Sequence, residues 1–325
     1  MSKARKPVNR KKVLKVVLIS LAVFIILNLI GAAVGTSTSI THPKRDSYTD
    51  VELEMKENGV WGGFDKYDKE PYIVKGLDGY ELHCMKVSAP ETQGTGKYLI
   101  YSHGHTSNMY SVSKYCDAYI ELGFTVITYD LRAHGENAKA ICSMGGYEAQ
   151  DLNYLIEDTF ARYKDVDILG LQGESMGTST SLNALRYSDK IDFIVADCGM
   201  QSLKYMVHDM YNDIYLYPFG TCADIGFKLL YGIDDAQVSG IDALKGKTVP
   251  ILFVHGGDDN WIDTENSIDM YNEAKKYTYT ELWIVPGATH ARSRQVAGKD
   301  EYKSHINMFL TNADIIKAEA LEEAA

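Results

Sequence analysis

The chain has 325 residues, of which 45% are hydrophobic and 24% charged, a globular composition that excludes a disordered, fibrous or low-complexity protein. Its net charge is −11, and seven basic side chains (Lys3, Arg5, Lys6, Arg10, Lys11, Lys12, Lys15) fall within the first 15 residues, leaving 26 basic against 44 acidic residues beyond them. Such an acidic remainder argues against nucleic acid as a partner, because phosphate binding needs clustered Lys and Arg.

The basic cluster leads into 19 residues, Val16 to Val34, without a charge and with only Ser20 and Asn28 clearly polar. As a helix rising 1.5 Å per residue this run spans about 28 Å, close to the roughly 30 Å of a bilayer core. Residues 16–35 therefore read as a transmembrane signal-anchor, with basic residues 1–15 in the cytoplasm and the rest of the chain outside. A cleaved signal peptide is the alternative, since Ala33-Val34-Gly35 offers small residues at a cleavage point, and the domain would then be secreted. The length of the apolar run favours the anchor. Residues 36–69 read as a juxtamembrane linker and lead-in, and residues 70–325 fit one α/β domain rather than two.

Within that domain Pro71 to Val74 and Tyr80 to Val87 are strand-like and joined by Leu77-Asp78-Gly79, a hairpin turn. Strand and helix then alternate: strand Tyr98 to Ser102, helix near Val112 to Leu122, strand Phe124 to Tyr129, helix near Glu148 to Tyr163, strand Val166 to Leu171 and a helix after Ser175. Further strands are expected at Asp192 to Ala196, Val249 to Val254 and Glu281 to Val285, with a last helix near Asp300 to Leu310. Alternation of this kind implies βα units on a mostly parallel sheet with helices on both faces, and ligands beyond the carboxyl ends of its strands. Residues 198–248 break the alternation: Tyr205, Met206, Met210, Tyr211, Tyr215, Tyr217, Phe219, Phe227 and Tyr231 crowd a stretch with no strand-like run. It packs on the core or forms a small helical cap, whose aromatic content suits an apolar acyl or aryl group.

Three of the strands end in loops that carry chemistry. GESMG at 173–177 has the form of a nucleophile elbow, in which Ser175 occupies a sharp strand-to-helix turn and two glycines flank it where a β-carbon would collide. HGGDDNWI at 255–262 follows the apolar run 249–254 and puts Asp258 and Asp259 in a loop, and PGATHAR at 286–292 does the same for His290. A serine hydroxyl is a poor nucleophile at neutral pH, so a histidine must take its proton and a carboxylate must orient that histidine. The oxyanion of the tetrahedral intermediate needs backbone donors. Met176 supplies one amide by position, and His105, in the loop after strand 98–101, the other.

SHGHTSN (102–108), DLRAHGEN (130–137), GESMG, HGGDDNWI and PGATHA, in this order, resemble the successive landmarks of the α/β-hydrolases. Within that superfamily the chain looks most like bacterial membrane-anchored or secreted esterases and prolyl-oligopeptidase-like hydrolases. The resemblance implies an α/β-hydrolase fold with Ser175 as nucleophile, His290 as base and Asp259 as acid, because Asp259 holds the fifth position of the family pattern HGxxDxxV and Ile262 its eighth. Asp258 is the competitor for that role. Relatives with an Asp nucleophile, the haloalkane dehalogenases and epoxide hydrolases, do not match Ser175, and there is no room for the propeller of a prolyl oligopeptidase.

The remaining residues read as structural. His103 and His134 buttress loops, Asp130 and Arg132 fix them, and Glu174 is a hydrogen-bonding or pocket residue. Five cysteines, Cys84, Cys116, Cys142, Cys198 and Cys222, lack metal-ligand spacing and read mostly as buried thiols, with Cys142 the one to test for a disulfide. The expectation is a membrane-anchored extracytoplasmic serine hydrolase, without cofactor or metal, that cleaves a small-molecule carboxylic ester through an acyl-enzyme. A serine peptidase or amidase acting on a peptide-like substrate, and a non-catalytic binding protein on the same fold, are the alternatives. The sequence sets no oligomeric state.

Overall fold

A computed structural model describes residues 9–317 apart from Asp213 and Tyr215; Lys3, Arg5 and Lys6 of the basic cluster and Tyr215 of the aromatic stretch thus lie outside the described residues. Its strands are β1 (Asp68–Lys75), β2 (Glu81–Ser88), β3 (Lys97–Ser102), β4 (Thr125–Tyr129), β5 (Ile168–Glu174), β6 (Phe193–Asp197), β7 (Ile251–Gly256) and β8 (Thr280–Val285). They form one sheet in the order β1-β2-β4-β3-β5-β6-β7-β8. The β1–β2 hairpin is antiparallel, β2 pairs antiparallel with β4, and every pairing from β4 to β8 is parallel. The hairpin turns where Asp78 and Gly79 both take positive φ, a conformation that short polar residues and glycine reach most readily.

Because side chains alternate across a strand, the parallel strands feed two separate cores. Tyr98, Ile100, Ile127, Leu169, Leu171, Ile194 and Phe253 point to one face. Leu99, Tyr101, Val126, Phe193, Val195, Leu252 and Val254 point to the other. Helices α4 (Tyr147–Arg162), α5 (Met176–Ala184), α8 (Gly240–Ala243) and α9 (Glu265–Ala274) cover the first face; α2 (Tyr48–Glu57), α3 (Ser113–Glu121), α10 (Ser293–Ala297) and α11 (Lys299–Asn312) cover the second. Strands buried on both sides read as continuous apolar runs rather than alternating ones, which is why they stand out in the sequence.

One region departs from the expected layout. The amino-terminal helix α1 runs from Arg10 to Thr41, well past Val34, because no strong breaker appears before Pro43, which disfavours helix at His42. Residues 36–69 are accordingly packed structure: after α1, a capping box of Ser47 and Asp50 starts α2, and Val51, Met55, Trp61 and Phe64 join the second core. The stretch 198–248 folds as α6 (Leu203–Asn212) and α7 (Tyr217–Tyr231) followed by α8. His208 of α6 and Asp224 of α7 bond at 2.7 Å. The last turns of α1 lie against this pair, where Tyr211 and Tyr231 hydrogen-bond Thr36 and Thr38 and where Ser37 and Thr41 are buried.

Candidate active site

Strand β5 runs to Glu174, and the chain passes through Ser175 at φ 54 and ψ −117 before α5 begins at Met176. Such a backbone is strained for a residue with a side chain and persists only where its surroundings enforce it. They do so sterically. A β-carbon on Gly173 would stand 2.3 Å from the Gly177 carbonyl group, and one on Gly177 would stand 1.9 Å from the Ser102 carbonyl oxygen. The turn is also tied down: Ser175 N–H donates to the Asp197 carbonyl at 2.9 Å, and the Thr178 hydroxyl lies 2.8 Å from both the Gly173 and Asp197 carbonyls.

The loops after β7 and β8 bring Asp259 and His290 to this serine. His290 Nε2 lies 2.9 Å from Ser175 Oγ, and its Nδ1 lies 2.7 Å from Asp259 Oδ2. The Asp259 carboxylate side chain is fully buried, and its Oδ1 accepts from the backbone N–H of Trp261 at 2.9 Å and of Ile262 at 3.0 Å. His255, the first residue of HGGDDNWI, donates from Nε2 to the Ile262 carbonyl at 2.9 Å and approaches Asp259 Oδ2 at 3.2 Å. Burial alone would raise the Asp259 carboxyl, but the hydrogen bonds of His255 and His290 outweigh it and hold the group well below the usual carboxylate range. Asp259 is thus ionised at any working pH, while Asp258 points to solvent and takes no part in this chain of bonds.

On the other side of Ser175 is the β3 loop. Gly104 comes close enough that a β-carbon there would lie 3.6 Å from Ser175 Cβ. The His105 imidazole lies 3.0 Å from the Ile40 carbonyl of α1, and burial lowers its pKa, so it is neutral and donates from Nε2. Met176 is the first residue of α5, so its N–H is one of the four that a helix start leaves without an intrahelical acceptor. His105, Ser175 and Met176 border one cavity. His103 accepts from Leu131 N–H at 3.0 Å, His134 bonds the Arg132 carbonyl at 2.8 Å, and burial holds both neutral. Asp130 accepts from the N–H groups of Met109 and Glu136, and Arg132 grips Asp151 with two bonds of 2.8 Å.

Beneath the elbow lies a buried polar network that the motifs do not announce. Glu174 Oε2 receives Lys114 Nζ and the Tyr115 hydroxyl, each at 2.5 Å, and Asp197 receives the hydroxyls of Tyr115 and Tyr302 at 3.2 and 3.1 Å. Burial, then the neighbouring Glu174 charge, raises Asp197 to about 6. Lys114 lies in the first turn of α3 in an otherwise unremarkable stretch, so only the fold reveals it.

Two cavities meet at Ser175. One, of about 450 Å³, is walled by Met144, Met200, Met206, Met210, Ile262 and, from the last turn of α1, Ile40. The other, of about 400 Å³, is polar and reaches Asp46, Lys114, Glu174 and Arg292. The nearest approach to a metal-ligand set among the described residues is His105, His134 and Cys142, whose ligand atoms lie within 4.8 Å of one another. Burial pushes the Cys142 thiol up, away from the thiolate that a metal needs, and His105 is already committed to Ile40. All five cysteines are free thiols, four of them buried.

A family model described as alpha/beta hydrolase fold matches residues 97–219. The chain is 28% identical over 292 residues to the uncharacterized protein YqkD of Bacillus subtilis (strain 168), covering 87% of this chain and 93% of that protein. An esterase of Pyrococcus furiosus superposes with a TM-score of 0.65 at 21% identity over 85% of this chain and 98% of its own. An acylaminoacyl peptidase of Pyrococcus horikoshii gives 0.60 at 15% identity over 79% of this chain and 43% of its own.

Proposed function

On the α/β-hydrolase fold that this chain carries, we propose a membrane-anchored serine hydrolase that cleaves a carboxylic ester through an acyl-enzyme. The observation that carries the reading is the bonded series Ser175, His290, Asp259, ending on a serine held at φ 54. In this reading His290 Nε2 accepts the Ser175 proton as Oγ attacks the carbonyl carbon, and Asp259 stabilises the imidazolium while fixing its tautomer. The amides of His105 and Met176 receive the oxyanion; losing one such donor costs about a hundredfold or more in rate. His290 then returns the proton to the leaving alcohol, and water releases the acid by the same route in reverse. Helices α6 and α7 act as a cap that keeps the apolar cavity dry.

The ester preference is supported by the apolar lining of the larger cavity, which offers methionine and isoleucine side chains to an acyl chain. A panel of p-nitrophenyl esters of rising acyl length, run beside aminoacyl and prolyl p-nitroanilides, tests it. Turnover of the esters with little of the anilides is expected; efficient anilide cleavage would make the protein a peptidase or amidase instead. Helix α1 is long and apolar enough to cross a bilayer, as an anchor or as a signal sequence. We read it as an uncleaved anchor with the domain outside, so protease added to intact cells should remove the domain, and full protection would reverse the topology.

A further inference from the structure

We propose that the active site is fed from the bilayer, and that its substrate is a membrane-dissolved amphiphile bearing a long acyl chain in ester linkage; this rests on the anchored serine hydrolase reading above. The anchor helix and the apolar cavity are parts of one structure. Ile40, which walls the cavity, follows Val34, the end of the uncharged run, by about 9 Å along the helix axis, which keeps the cavity near the headgroup layer. The domain cannot swing away from the membrane on a loose tether. Gly226 of α7 meets α1 so closely that a β-carbon there would stand 2.2 Å from the Ala33 carbonyl oxygen, the small-residue contact by which membrane helices pack.

This packing fixes where the outer face of α7 goes. Ile225 and Leu229 are one turn apart on that face, flanked by Leu230, and Leu229 is 77% exposed; Tyr217 and Met210 continue the exposed apolar surface toward the cavity. A water-facing surface has no use for such a stripe, whereas a helix held against the end of a transmembrane segment buries it among lipid headgroups and acyl chains. Trp261, 70% exposed at the junction of both cavities, suits the same boundary. The two cavities then divide an amphiphile: the acyl chain enters between Ile40 and α6, and the polar alcohol part lies toward Lys114 and Arg292. Ser175 Oγ bonds the ester carbonyl carbon, its proton passes to His290 and leaves with the alcohol, and water then splits the acyl-serine to give the carboxylic acid and restore the hydroxyl.

The full chain reconstituted in phosphatidylcholine vesicles is assayed with water-soluble p-nitrophenyl acetate and with p-nitrophenyl palmitate dissolved in the same vesicles. Turnover of neither ester by the unaltered protein would remove the hydrolase reading itself. Given turnover, Leu229→Glu should leave the acetate rate unchanged and lower the palmitate rate about tenfold, the ratio expected from losing one lipid-buried leucine. Unchanged rates on both would overturn feeding from the bilayer. Should both fall together, Leu229→Trp decides: added tryptophan emission quenched by phospholipid brominated on its acyl chains supports the proposal, and unquenched emission contradicts it.

Discussion

At the carboxyl edge of the sheet, Asp259, His290 and Ser175 sit in a ring of bonds of 2.7 to 3.0 Å that leaves each little freedom. Helices α6 and α7 are the opposite case, turning Met210, Tyr217, Ile225 and Leu229 outwards and touching the rest of the molecule chiefly through α1 and one another. The first region orders polar groups, and its geometry is set by strand ends and two obligatory glycines. The second arranges apolar surface against a helix suited to lipid. In the proposed reading chemistry and substrate access depend on different residues, and substitutions should separate them.

The largest effect falls in the first region. Ser175→Ala should lower kcat/KM on any ester by about 10⁴-fold or more with Tm little changed, and Asp259→Asn should lower it by a comparable 10⁴. A fall confined to long-chain esters would instead place these residues in the access region. Gly177→Ala tests whether the elbow is enforced by contact with Ser102: a methyl at 1.9 Å from a backbone oxygen should cost about 3 kcal/mol and lower Tm by roughly 6 to 12 °C in thermal melts.

Next in size is a pH effect. Asp197 is raised from an ordinary carboxyl value to about 6, by burial and then by Glu174, so the folded state holds a proton that the unfolded state has released. Stability from this group is full below about pH 4 and declines by roughly 2 to 3 kcal/mol as pH rises to 6. Asp197→Asn should reduce, not abolish, the difference between urea midpoints at pH 4 and pH 6, because burial also raises Asp151 to about 6; Asp259, lowered rather than raised, acts in the opposite direction and below pH 4. The smallest effect is Thr178→Val, which removes the hydroxyl between the Gly173 and Asp197 carbonyls and should cost about 1 to 2 kcal/mol in urea unfolding.

Much of the first region is legible in the sequence because its rules are local. Strands buried on both faces leave continuous apolar runs, glycines mark turns that tolerate no side chain, and the loops that follow hold Ser175, Asp259 and His290. The sheet adds what spacing cannot supply, namely that Asp259 rather than its neighbour Asp258 faces His290. Lys114, Tyr115, Tyr302 and Asp197 meet below the elbow from three separated segments, and no pattern within any one of them signals the meeting. The same holds for α1: its apolar run is plain from composition, yet the packing of Ser37 and Thr41 and the placing of Ile40 beside Ser175 arise only when α6 and α7 close over it. Residues 36–69 look like a linker because their apolar residues are sparse, and their role is clear only from the core that receives Trp61 and Phe64.

Ser175 as nucleophile is tested by treating the folded protein with a fluorophosphonate and locating the adduct by mass spectrometry of its peptides. Stoichiometric phosphonylation of Ser175 is expected, absent from Ser175→Ala and strongly slowed in His290→Ala. An unlabelled Ser175 in folded protein, or labelling that persists in Ser175→Ala, would contradict that role.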